Sequence, residues 1–265
     1  MPKNVFSLGM SGNSYSSEKI LVSIVCHQSI NDTQRLLDDL SRLASSNLLE
    51  IILTINLGDD VPTVPSNLSV VIKRNVLPVS FAKNHNNALL GKTHNHFLVL
   101  NPDLRVPDDP IPQMLNIIRK NGIGIVGPVL LNTDKSIQTE IRKFPSILNI
   151  WSRPFRRLTA KHLSGKDLNG QSYRTADFIP GCFMLIRGGL FNKLGGFSER
   201  YQHYLEDVDI CFRASRVGEL AAITSAGEII HHGAFKSRAQ IGYFIIHLQS
   251  LFKFFLLRLA LFLKN

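Results

Sequence analysis

The sequence predicts an α/β fold built on a doubly wound, mostly parallel sheet. Continuous apolar runs rich in β-branched residues, the first being Ile20–Cys26 (ILVSIVC), are typical of strands that are buried on both faces. Such runs alternate with segments of helical periodicity over the first 130 residues, which favours βαβ units. Ligands bind beyond the carboxyl ends of the strands in sheets of this kind, so the residues after each strand are the first site candidates.

The predicted elements follow one another along the chain. After the first strand, Asn31 or Asp32 can cap a helix that runs to about Ala44, with leucines at helical spacing. Further helices are predicted over residues 80–91 and 205–217. Further strands or extended segments are predicted over residues 50–56, 69–73, 96–100, 127–131, 136–139, 182–186 and 228–232.

The chain is expected to contain one main domain. Residues 1–18 are rich in Ser, Gly and Asn and are predicted to form a flexible tail, and residues 19–237 form the domain. Within it, residues 145–175 have weak periodicity and many basic side chains, which indicates a loop-rich insertion. Residues 238–265 are predicted to form an amphipathic helix.

The positive charge of the chain is concentrated in two segments. The net charge is +10, and residues 142–174 carry eight basic and one acidic side chains, while residues 234–265 carry five basic and none acidic. This distribution points to an anionic partner such as nucleotide phosphates or an acidic membrane surface. No nucleic-acid recognition motif accompanies the charge, so nucleic acid is not an expected partner.

The cysteines and the N-terminus indicate a cytoplasmic location. The three cysteines, Cys26, Cys182 and Cys211, show neither metal-binding nor disulfide-framework spacing, which favours a reducing compartment. The first 20 residues lack the apolar core of a signal peptide. Composition also excludes a disordered chain and a collagen-like repeat.

The C-terminal segment has the pattern of a helix that lies in a membrane interface. Its apolar residues fall within an arc of about 120° on a helical projection. Lys253 and Arg258 lie near its middle and would each cost roughly 2.5–3.5 kcal/mol at the centre of a bilayer, so a spanning helix is not expected. The alternative is a helix packed on the domain or on a second subunit.

Three short motifs carry candidate site chemistry. Asn101-Pro102-Asp103 follows a predicted strand and could hold a divalent ion against a diphosphate, although it is also a turn signal. Glu206-Asp207-Val208-Asp209 could supply a general base, although clustered carboxylates also suit a helix N-terminus. His231-His232-Gly233 could supply a metal ligand, although a histidine is more often structural.

Taken in order, these motifs resemble the inverting family-2 nucleotide-sugar glycosyltransferases. Within that family the chain resembles the rhamnosyltransferase-like branch of O-antigen and cell-wall polysaccharide synthesis. The resemblance covers residues 21–237. It rests on the segments VSIVCH (22–27), FAKNHNNAL (81–89), LNPDL (100–104), GPVLLN (127–132), IRKFP (141–145), PGCFMLIR (180–187), LGGFSE (194–199), YLEDVDICFR (204–213) and HHGAFKS (231–237).

The resemblance implies a single domain of the GT-A type and a role for each matched residue. Asp207 is implied as the catalytic base, with Glu206 and Asp209 in support. Asp103 is implied as the ligand of Mg²⁺ or Mn²⁺, with His231, or alternatively His232, as a further contact. The donor side would comprise His27, Asn56, Asn86, Asn101 and Asp103, and the acceptor side would comprise Gly181, Tyr201 and Tyr204.

The chain departs from the family pattern at two positions. Relatives have an Asp-Asn pair at the end of the second strand, where this chain has Ile55-Asn56. That aspartate helps to hold the nucleotide, and Asp59 or Asp60 are the candidates to replace it here. Ser198 also stands where an aspartate is usual after Gly-Gly-Phe.

The resemblance implies the inverting transfer of a sugar from a nucleoside-diphosphate donor, with L-rhamnose from dTDP-L-rhamnose as the expected donor. The expected acceptor is a hydroxyl of a lipid-linked (polyprenyl diphosphate) saccharide at the cytoplasmic face of the membrane. One alternative is a nucleotidyltransferase, which would usually have a Gly-rich basic loop where this chain has residues 27–30 (HQSI). Another is a non-catalytic basic membrane-associated protein, which would leave the carboxylate motifs unexplained.

Overall fold

The computed structural model describes residues 18–58, 60–138, 143–145, 172–233 and 241–262. Nine strands and six α-helices form in this part of the chain. The strands are β1 (Ile20–Cys26), β2 (Leu49–Ile55), β3 (Ser69–Arg74), β4 (His96–Leu100), β5 (Leu104–Arg105), β6 (Ile123–Leu131), β7 (Tyr173–Ala176), β8 (Phe183–Arg187) and β9 (Leu220–His231). The helices are α1 (Ile30–Arg42), α2 (Phe81–Leu89), α3 (Ile111–Ile118), α4 (Gly188–Lys193), α5 (Glu206–Ser215) and α6 (Ile241–Phe262).

All nine strands belong to one mixed sheet. Its order is β3-β2-β1-β4-β8-β6-β9-β5, and β7 pairs with β9. Strands β1 to β4 are parallel to one another, whereas β8 runs antiparallel to both β4 and β6. The predicted α/β class with a mixed, mostly parallel sheet is confirmed.

The register of the strands brings their carboxyl ends to one edge of the sheet. Cys26 at the end of β1 pairs with Ile55 at the end of β2, and Ile24 pairs with Leu100 at the end of β4. Because β8 runs in the opposite direction, its first residue, Phe183, is the one that pairs with Leu100. The residues after β1, β2 and β4 therefore meet the residues before β8.

The core lies on both faces of the sheet, as expected for strands that are apolar on both sides. Ile20, Val22 and Ile24 of β1 belong to a cluster that includes the apolar faces of α1 and α3. Leu21 of β1 belongs to a second cluster, formed with α2, α4, α5 and α6. Burial of each of these large side chains contributes about 1.5–3 kcal/mol.

Strand β1 coincides with its prediction, but several other boundaries differ. Helix α1 begins at Ile30, and its N-cap is Ser29. The observed cap lies two or three residues before the predicted caps, Asn31 and Asp32. The predicted strand 228–232 is only the end of β9, which begins at Leu220. The alanines and the serine in the first half of β9 have little strand propensity, and its pairing with β6 supplies the stability instead.

Other elements were not predicted or lie outside the described part of the chain. Helices α3 and α4 were missed because each is short and apolar, and a short apolar run does not distinguish a helix from a strand. The predicted tail, apart from Glu18, and most of the insertion over residues 145–175 lie outside the described residues. The end of that insertion contributes to β7.

A buried ion pair fixes the chain directly after Asp103. The carboxylate of Asp39 is 4% exposed and accepts hydrogen bonds from Arg105 Nε (2.7 Å), Arg105 Nη2 (2.9 Å) and the Val106 amide (3.0 Å). Burial alone would raise the pKa of Asp39, but the bonds from Arg105 and Val106 outweigh it and hold that pKa below its usual value. This pair ties β5 to α1.

We expect Arg105→Ala to lower the free energy of unfolding by about 3 kcal/mol, because it leaves the buried carboxylate without its main partner. Arg42→Ala is the matched control, since Arg42 bonds the same carboxylate but its side chain is 65% exposed, and we expect it to cost less than about 1 kcal/mol. Urea unfolding of both variants measures the difference. Equal losses would show that β5 is not held by this pair.

Candidate active site

The pairing of β5 with β9 brings two of the three predicted motifs together. Leu104, next to Asp103, pairs with His231 at the end of β9. As a result, His231 Nε2 lies 3.4 Å from Asp103 Oδ2. Asn101 lies two residues before Asp103, and its amide donates to the carbonyl of Cys182 at 2.8 Å.

The two neighbouring histidines occupy different positions. The ring of His231 lies between Asp103 and Gln138, with Nδ1 2.8 Å from Gln138 Oε1. The side chain of His232 is exposed, and only its backbone amide contacts this region, by donating to the carbonyl of Asp103 at 2.9 Å. The geometry therefore brings the side chain of His231, rather than that of His232, to the Asp103 carboxylate.

One oxygen of Asp103 is buried without a hydrogen-bond partner among the described residues. This atom is Oδ1, and the side chain as a whole is 29% exposed. Desolvated carboxylate oxygens normally have a partner. An unpaired carboxylate oxygen beside an imidazole is a donor set that a divalent cation can use.

The third motif reaches the same edge of the sheet from the N-terminus of α5. Asp207 lies in the first turn of α5, where the helix dipole favours a negative charge. Its Oδ2 accepts a hydrogen bond of 3.1 Å from the amide of Gly181, and its Oδ1 accepts one of 2.8 Å from the amide of Val208. A Cβ atom at position 181 would lie 3.2 Å from the Cβ of Asp207, so the glycine allows this close approach.

Cys182 connects the two carboxylates. Burial raises the pKa of its thiol, and the charges of Asp103 and Asp207 raise it further. Both carboxylates are therefore close to the same side chain, and the thiol is protonated at physiological pH. Asp103, Asp207 and His231 line one region at the carboxyl edge of the sheet, next to Gly181 and Cys182.

Glu206 differs from Asp207 in its surroundings. The residue is 5% exposed, and its Oε1 has no hydrogen-bond partner among the described residues. Burial raises the pKa of Glu206 to about 8, and the charges of Asp207 and Asp209 contribute to the shift. Glu206 is therefore largely protonated at pH 7.

Asp209 is fully buried and holds the loop that precedes α5. It accepts hydrogen bonds from the hydroxyl of Tyr201 (3.0 Å) and from Arg213 Nε (2.5 Å). Arg213 in turn donates to the carbonyls of Leu194 and Gly196. The ring of Tyr201 is fully buried, so the structure gives Asp209 and Tyr201 positions inside the protein, and a contact between Tyr201 and an acceptor stays a prediction.

Asn86 contacts the Gly-Gly-Phe loop. Its side chain exchanges two hydrogen bonds of 2.8 Å with the backbone of Phe197. Gly196 has a φ of +74°, and a Cβ atom there would lie 2.4 Å from Asn86 Oδ1, so this position requires glycine for two reasons. These bonds make Asn86 a support of the loop, and its predicted contact with the donor is not tested.

A network of asparagines lies at the ends of β2 and β3. Asn56 Nδ2 is 3.2 Å from the ring of the exposed His27, and Asn56 Oδ1 accepts from Asn75 Nδ2 at 2.7 Å. Asn75 also donates to Asn84 Oδ1 at 2.8 Å. Asn75 and Asn84 were missed by the sequence analysis, although Asn75 directly follows a strand and could have been found by the rule that identified Asn56.

The structure does not show a replacement for the missing aspartate among the described residues. Ile55 is the last residue of β2 and is buried in the core. Asp60 is exposed, and Asp59 lies outside the described residues. The structure therefore leaves the replacement of that aspartate as a prediction.

Tyr204 has a rare backbone conformation and lies two residues before Glu206 in the sequence. Tyr204 and Leu205 have φ values of +71° and +72°, in the left-handed region that large side chains seldom adopt. The half-buried ring of Tyr204 contacts the rings of His203 (4.2 Å between centroids) and His247 (5.5 Å).

A cavity of about 790 Å³ lies elsewhere, at the opposite edge of the sheet. Several of its charged groups are paired: Glu18 with His96 and Arg119, and Arg187 with the neighbouring Glu219. It contains none of the motif carboxylates. The candidate active site is therefore the carboxyl edge of the sheet.

The chain is similar in sequence to rhamnosyltransferases. It is 28% identical over 152 residues to the N-acetylglucosaminyl-diphospho-decaprenol L-rhamnosyltransferase of Mycobacterium tuberculosis (strain H37Rv), which covers 52% of this chain and 47% of that protein. It is 24% identical over 163 residues to the rhamnosyltransferase WbbL of Escherichia coli K12, which covers 60% of this chain and 61% of WbbL. The chain thus matches about half to three fifths of the length of these relatives. No protein-family profile matches the chain.

Solved structures decide the fold. GalNAc-T7 with UDP, GalNAc and Mn²⁺ superposes with a TM-score of 0.61 at 13% identity, over 82% of this chain and 44% of that chain. The mannosyltransferase PcManGT from Pyrobaculum calidifontis, with GDP-Man and Mn²⁺, gives a TM-score of 0.57 at 14% identity, over 83% of this chain and 59% of that one. The chain has the GT-A glycosyltransferase fold.

The GT-A fold accounts for the position of the candidate site. The three motifs that carried the resemblance all lie at the carboxyl edge of this GT-A sheet, although the first and the last are more than 120 residues apart in the sequence. The predicted resemblance to a family-2-like rhamnosyltransferase and the predicted fold class are both confirmed.

Proposed function

We propose that this chain transfers a sugar, with inversion, from a nucleoside-diphosphate donor to a hydroxyl group of a lipid-linked saccharide. The observation that carries the proposal is the convergence of the segments of Asp103 and Asp207 on Gly181 and Cys182 at the carboxyl edge of a GT-A sheet, where the Asn101 amide bonds the Cys182 carbonyl and the Gly181 amide bonds the Asp207 carboxylate. The names of the sequence relatives support L-rhamnose, from dTDP-L-rhamnose, as the sugar transferred. The mycobacterial relative is named for an acceptor carried on decaprenyl diphosphate, which supports a polyprenyl-diphosphate acceptor here.

In this proposal Asp207 is the general base. The acceptor oxygen forms a bond to the anomeric carbon, its proton goes to Asp207, and the bond between the anomeric carbon and the diphosphate breaks with its electron pair on the leaving group. The amide of Gly181 orients the Asp207 carboxylate. Inversion in one step needs no covalent intermediate with the protein, and a positioned base contributes about 10²–10⁴-fold in rate.

Glu206 and Asp209 act on Asp207 without contacting the substrate. Protonated Glu206 leaves the negative charge of this turn on Asp207 and on the buried, paired Asp209. Asp209, two residues after Asp207, keeps Tyr201 and Arg213 in place, and Arg213 holds the loop that contains Leu194 and Gly196. Both carboxyl groups are therefore proposed as positioning residues.

The site fits a divalent cation, and we propose Mg²⁺ or Mn²⁺. The unpaired Asp103 Oδ1 and the adjacent His231 would hold it. Among the described residues there is no group of three or more His, Cys, Asp or Glu side chains arranged around a metal, so the substrate diphosphate and water would complete the coordination, as is usual for Mg²⁺. When bound, the ion supplies positive charge that stabilises the leaving diphosphate.

The two sides of the site are assigned to donor and acceptor. His27 and Asn56 lie at the ends of β1 and β2 and are proposed to contact the nucleotide, with Asn101 and Asp103 toward the diphosphate. Gly181 and Tyr204, which flank Asp207, are proposed on the acceptor side.

A lipid-linked acceptor implies that the protein works at a membrane surface, and we propose a peripheral location at the cytoplasmic face. No helix in the described ranges combines the length and hydropathy needed to cross a bilayer.

The test is a panel of nucleotide sugars offered together with a GlcNAc-diphosphate-polyprenol acceptor. We expect release of dTDP from dTDP-L-rhamnose only when the acceptor is present, and a rhamnosylated lipid as the product. Release from another donor would change the sugar and keep the class. If pyrophosphate is formed from a nucleoside triphosphate and a sugar phosphate, and no nucleoside diphosphate is formed from any donor, the protein is a nucleotidyltransferase and the proposal fails.

A further inference from the structure

Helix α6 carries a stripe of exposed apolar side chains. At about 100° per residue, its five members fall within an arc of about 80°. We call this set the apolar stripe. It consists of Ile245, Leu248, Phe252, Leu256 and Leu259, which are 48–64% exposed.

The opposite face of α6 packs on the domain. Leu251 and Phe254 are buried in the core cluster that includes α5, and the ring of Phe254 contacts that of Phe212 edge to face, with centroids 5.5 Å apart. The sequence predicted a single apolar face that included Leu251, with Ser250 and Lys253 on the opposite side. In the structure Ser250 and Lys253 contact the domain instead. The helix is apolar both on the side that packs on the domain and on the exposed side.

The docked face of α6 also holds the loop that leads into the catalytic motif, residues 200–205. Ser250 Oγ donates to the carbonyl of His203 at 2.8 Å, and Lys253 Nζ donates to the carbonyl of Arg200 at 2.7 Å. The ring of His247 contacts that of Tyr204. Three side chains on three successive turns of α6 thus contact one short loop.

This loop needs external support. Tyr204 and Leu205, the last residues before Glu206 and Asp207, are both in the left-handed region. Such conformations are unfavourable for large side chains and persist only where the surrounding structure enforces them. Because α6 supplies several of the contacts, the position of α6 bears on the position of Asp207.

We propose that the apolar stripe docks on the surface of an anionic lipid bilayer, and that this docking orders residues 200–205 and so raises sugar transfer. The second half of the proposal rests on the proposed function, and the first half does not. Because the stripe and the loop contacts belong to one helix, immobilising the stripe also restricts the loop.

Charge identifies the bilayer as the partner. Residues 234–265 contain five basic and no acidic side chains. Arg258 lies on the docked side of α6, where it donates to the carbonyl of Pro145 and lies over the ring of Phe212, and the exposed Lys143 pairs with Asp177. An exposed apolar stripe in a segment whose charged residues are all basic suits an anionic lipid surface.

Vesicle binding tests the surface. We expect the full chain to co-sediment with vesicles of phosphatidylglycerol and phosphatidylcholine, and less with phosphatidylcholine alone. Phe252→Glu should reduce the binding about tenfold or more. Val71→Glu is the matched control, because it places the same charge on another exposed apolar residue (58% exposed), and it should bind like the unchanged chain.

Hydrogen exchange tests the coupling to the loop, without any need for sugar transfer. Anionic vesicles should slow the exchange of amides 200–209 in the unchanged chain and in Val71→Glu, but not in Phe252→Glu. Lys253→Met, which removes the bond to Arg200, should still bind vesicles but lose most of the protection. Exchange that does not change on vesicle binding would overturn the coupling.

Two further outcomes would contradict the proposal or separate it from the proposed function. A dimer that Phe252→Glu dissociates, together with no vesicle binding, would show that a second copy covers the stripe, and the proposal would be wrong. Vesicle binding and loop protection in a protein that transfers no sugar from any donor would contradict the proposed function and the activation, while the bilayer surface would stand.

Discussion

Asp207→Asn should lower the turnover of sugar transfer by about 10²–10⁴-fold, which is the contribution of a positioned general base. The amide retains the size of the carboxylate and can still accept the bond from Gly181 through its oxygen, but it cannot take the proton of the acceptor hydroxyl. Donor affinity should therefore change little. Steady-state release of nucleoside diphosphate and a separate measurement of donor binding distinguish the two effects.

Glu206→Gln is the matched control for this prediction. Because burial raises the pKa of Glu206 to about 8, the substitution replaces one neutral group by another at pH 7, and the loss should be less than about tenfold. If Glu206→Gln abolishes transfer while Asp207→Asn retains more than about a tenth of the turnover, the two roles must be exchanged.

The sequence selected candidate residues for the site but not the contacts that bring them together. Asp103, Asp207 and His231 were each chosen from local motifs, and only the pairing of Leu104 with His231 and the bond from Gly181 to Asp207 bring them together. The choice between His231 and His232 could not be made from the sequence, because it depends on the register in which β9 pairs with β5.

Two other residues that the sequence assigns to the site have contacts within the protein that the sequence did not reveal. Asn86 and Tyr201 lie in segments that match the family, but Asn86 bonds the backbone of Phe197, and the hydroxyl of Tyr201 donates to Asp209. A motif records which residues a site requires and does not separate those that touch the ligand from those that shape the loop. Gln138 shows the reverse case, since no motif includes it and yet it contacts the ring of His231.

Long-range pairing also explains why parts of the fold were missed. The first half of β9 has a weak strand pattern and is stabilised by β6 and β7 on its two sides. By contrast, the bounds of the parallel strands β1 to β4 were predicted within one residue at each end. Local pattern was sufficient for these strands, of which β1, β2 and β4 are buried and the edge strand β3 is exposed.

Asp103→Ala is expected to remove the metal dependence of the reaction together with most of the activity. The substitution deletes the one carboxylate at this position, including the unpaired Oδ1, and leaves His231 as a single ligand. Loss of an outer-shell partner lowers metal affinity by about 10–100-fold. Because Asp103 is proposed as a direct ligand, the apparent affinity for Mn²⁺ should fall by more than that. Titration of Mn²⁺ followed by electron paramagnetic resonance measures this without turnover.

Two variants and one treatment make the metal prediction decisive. Gln138→Ala removes the hydrogen bond to His231 Nδ1, together with a bond from Gln138 Nε2 to Asn132 Oδ1, so its Mn²⁺ affinity should fall by about 10–100-fold. Asp32→Asn changes a carboxylate on α1, where it pairs with Arg35, and should have no effect. Excess chelator should abolish transfer by the unchanged protein, and Mn²⁺ or Mg²⁺ should restore it. Full activity in chelator would contradict the assignment of a metal to Asp103, because the negative charge on the leaving diphosphate would then be balanced by protein groups alone.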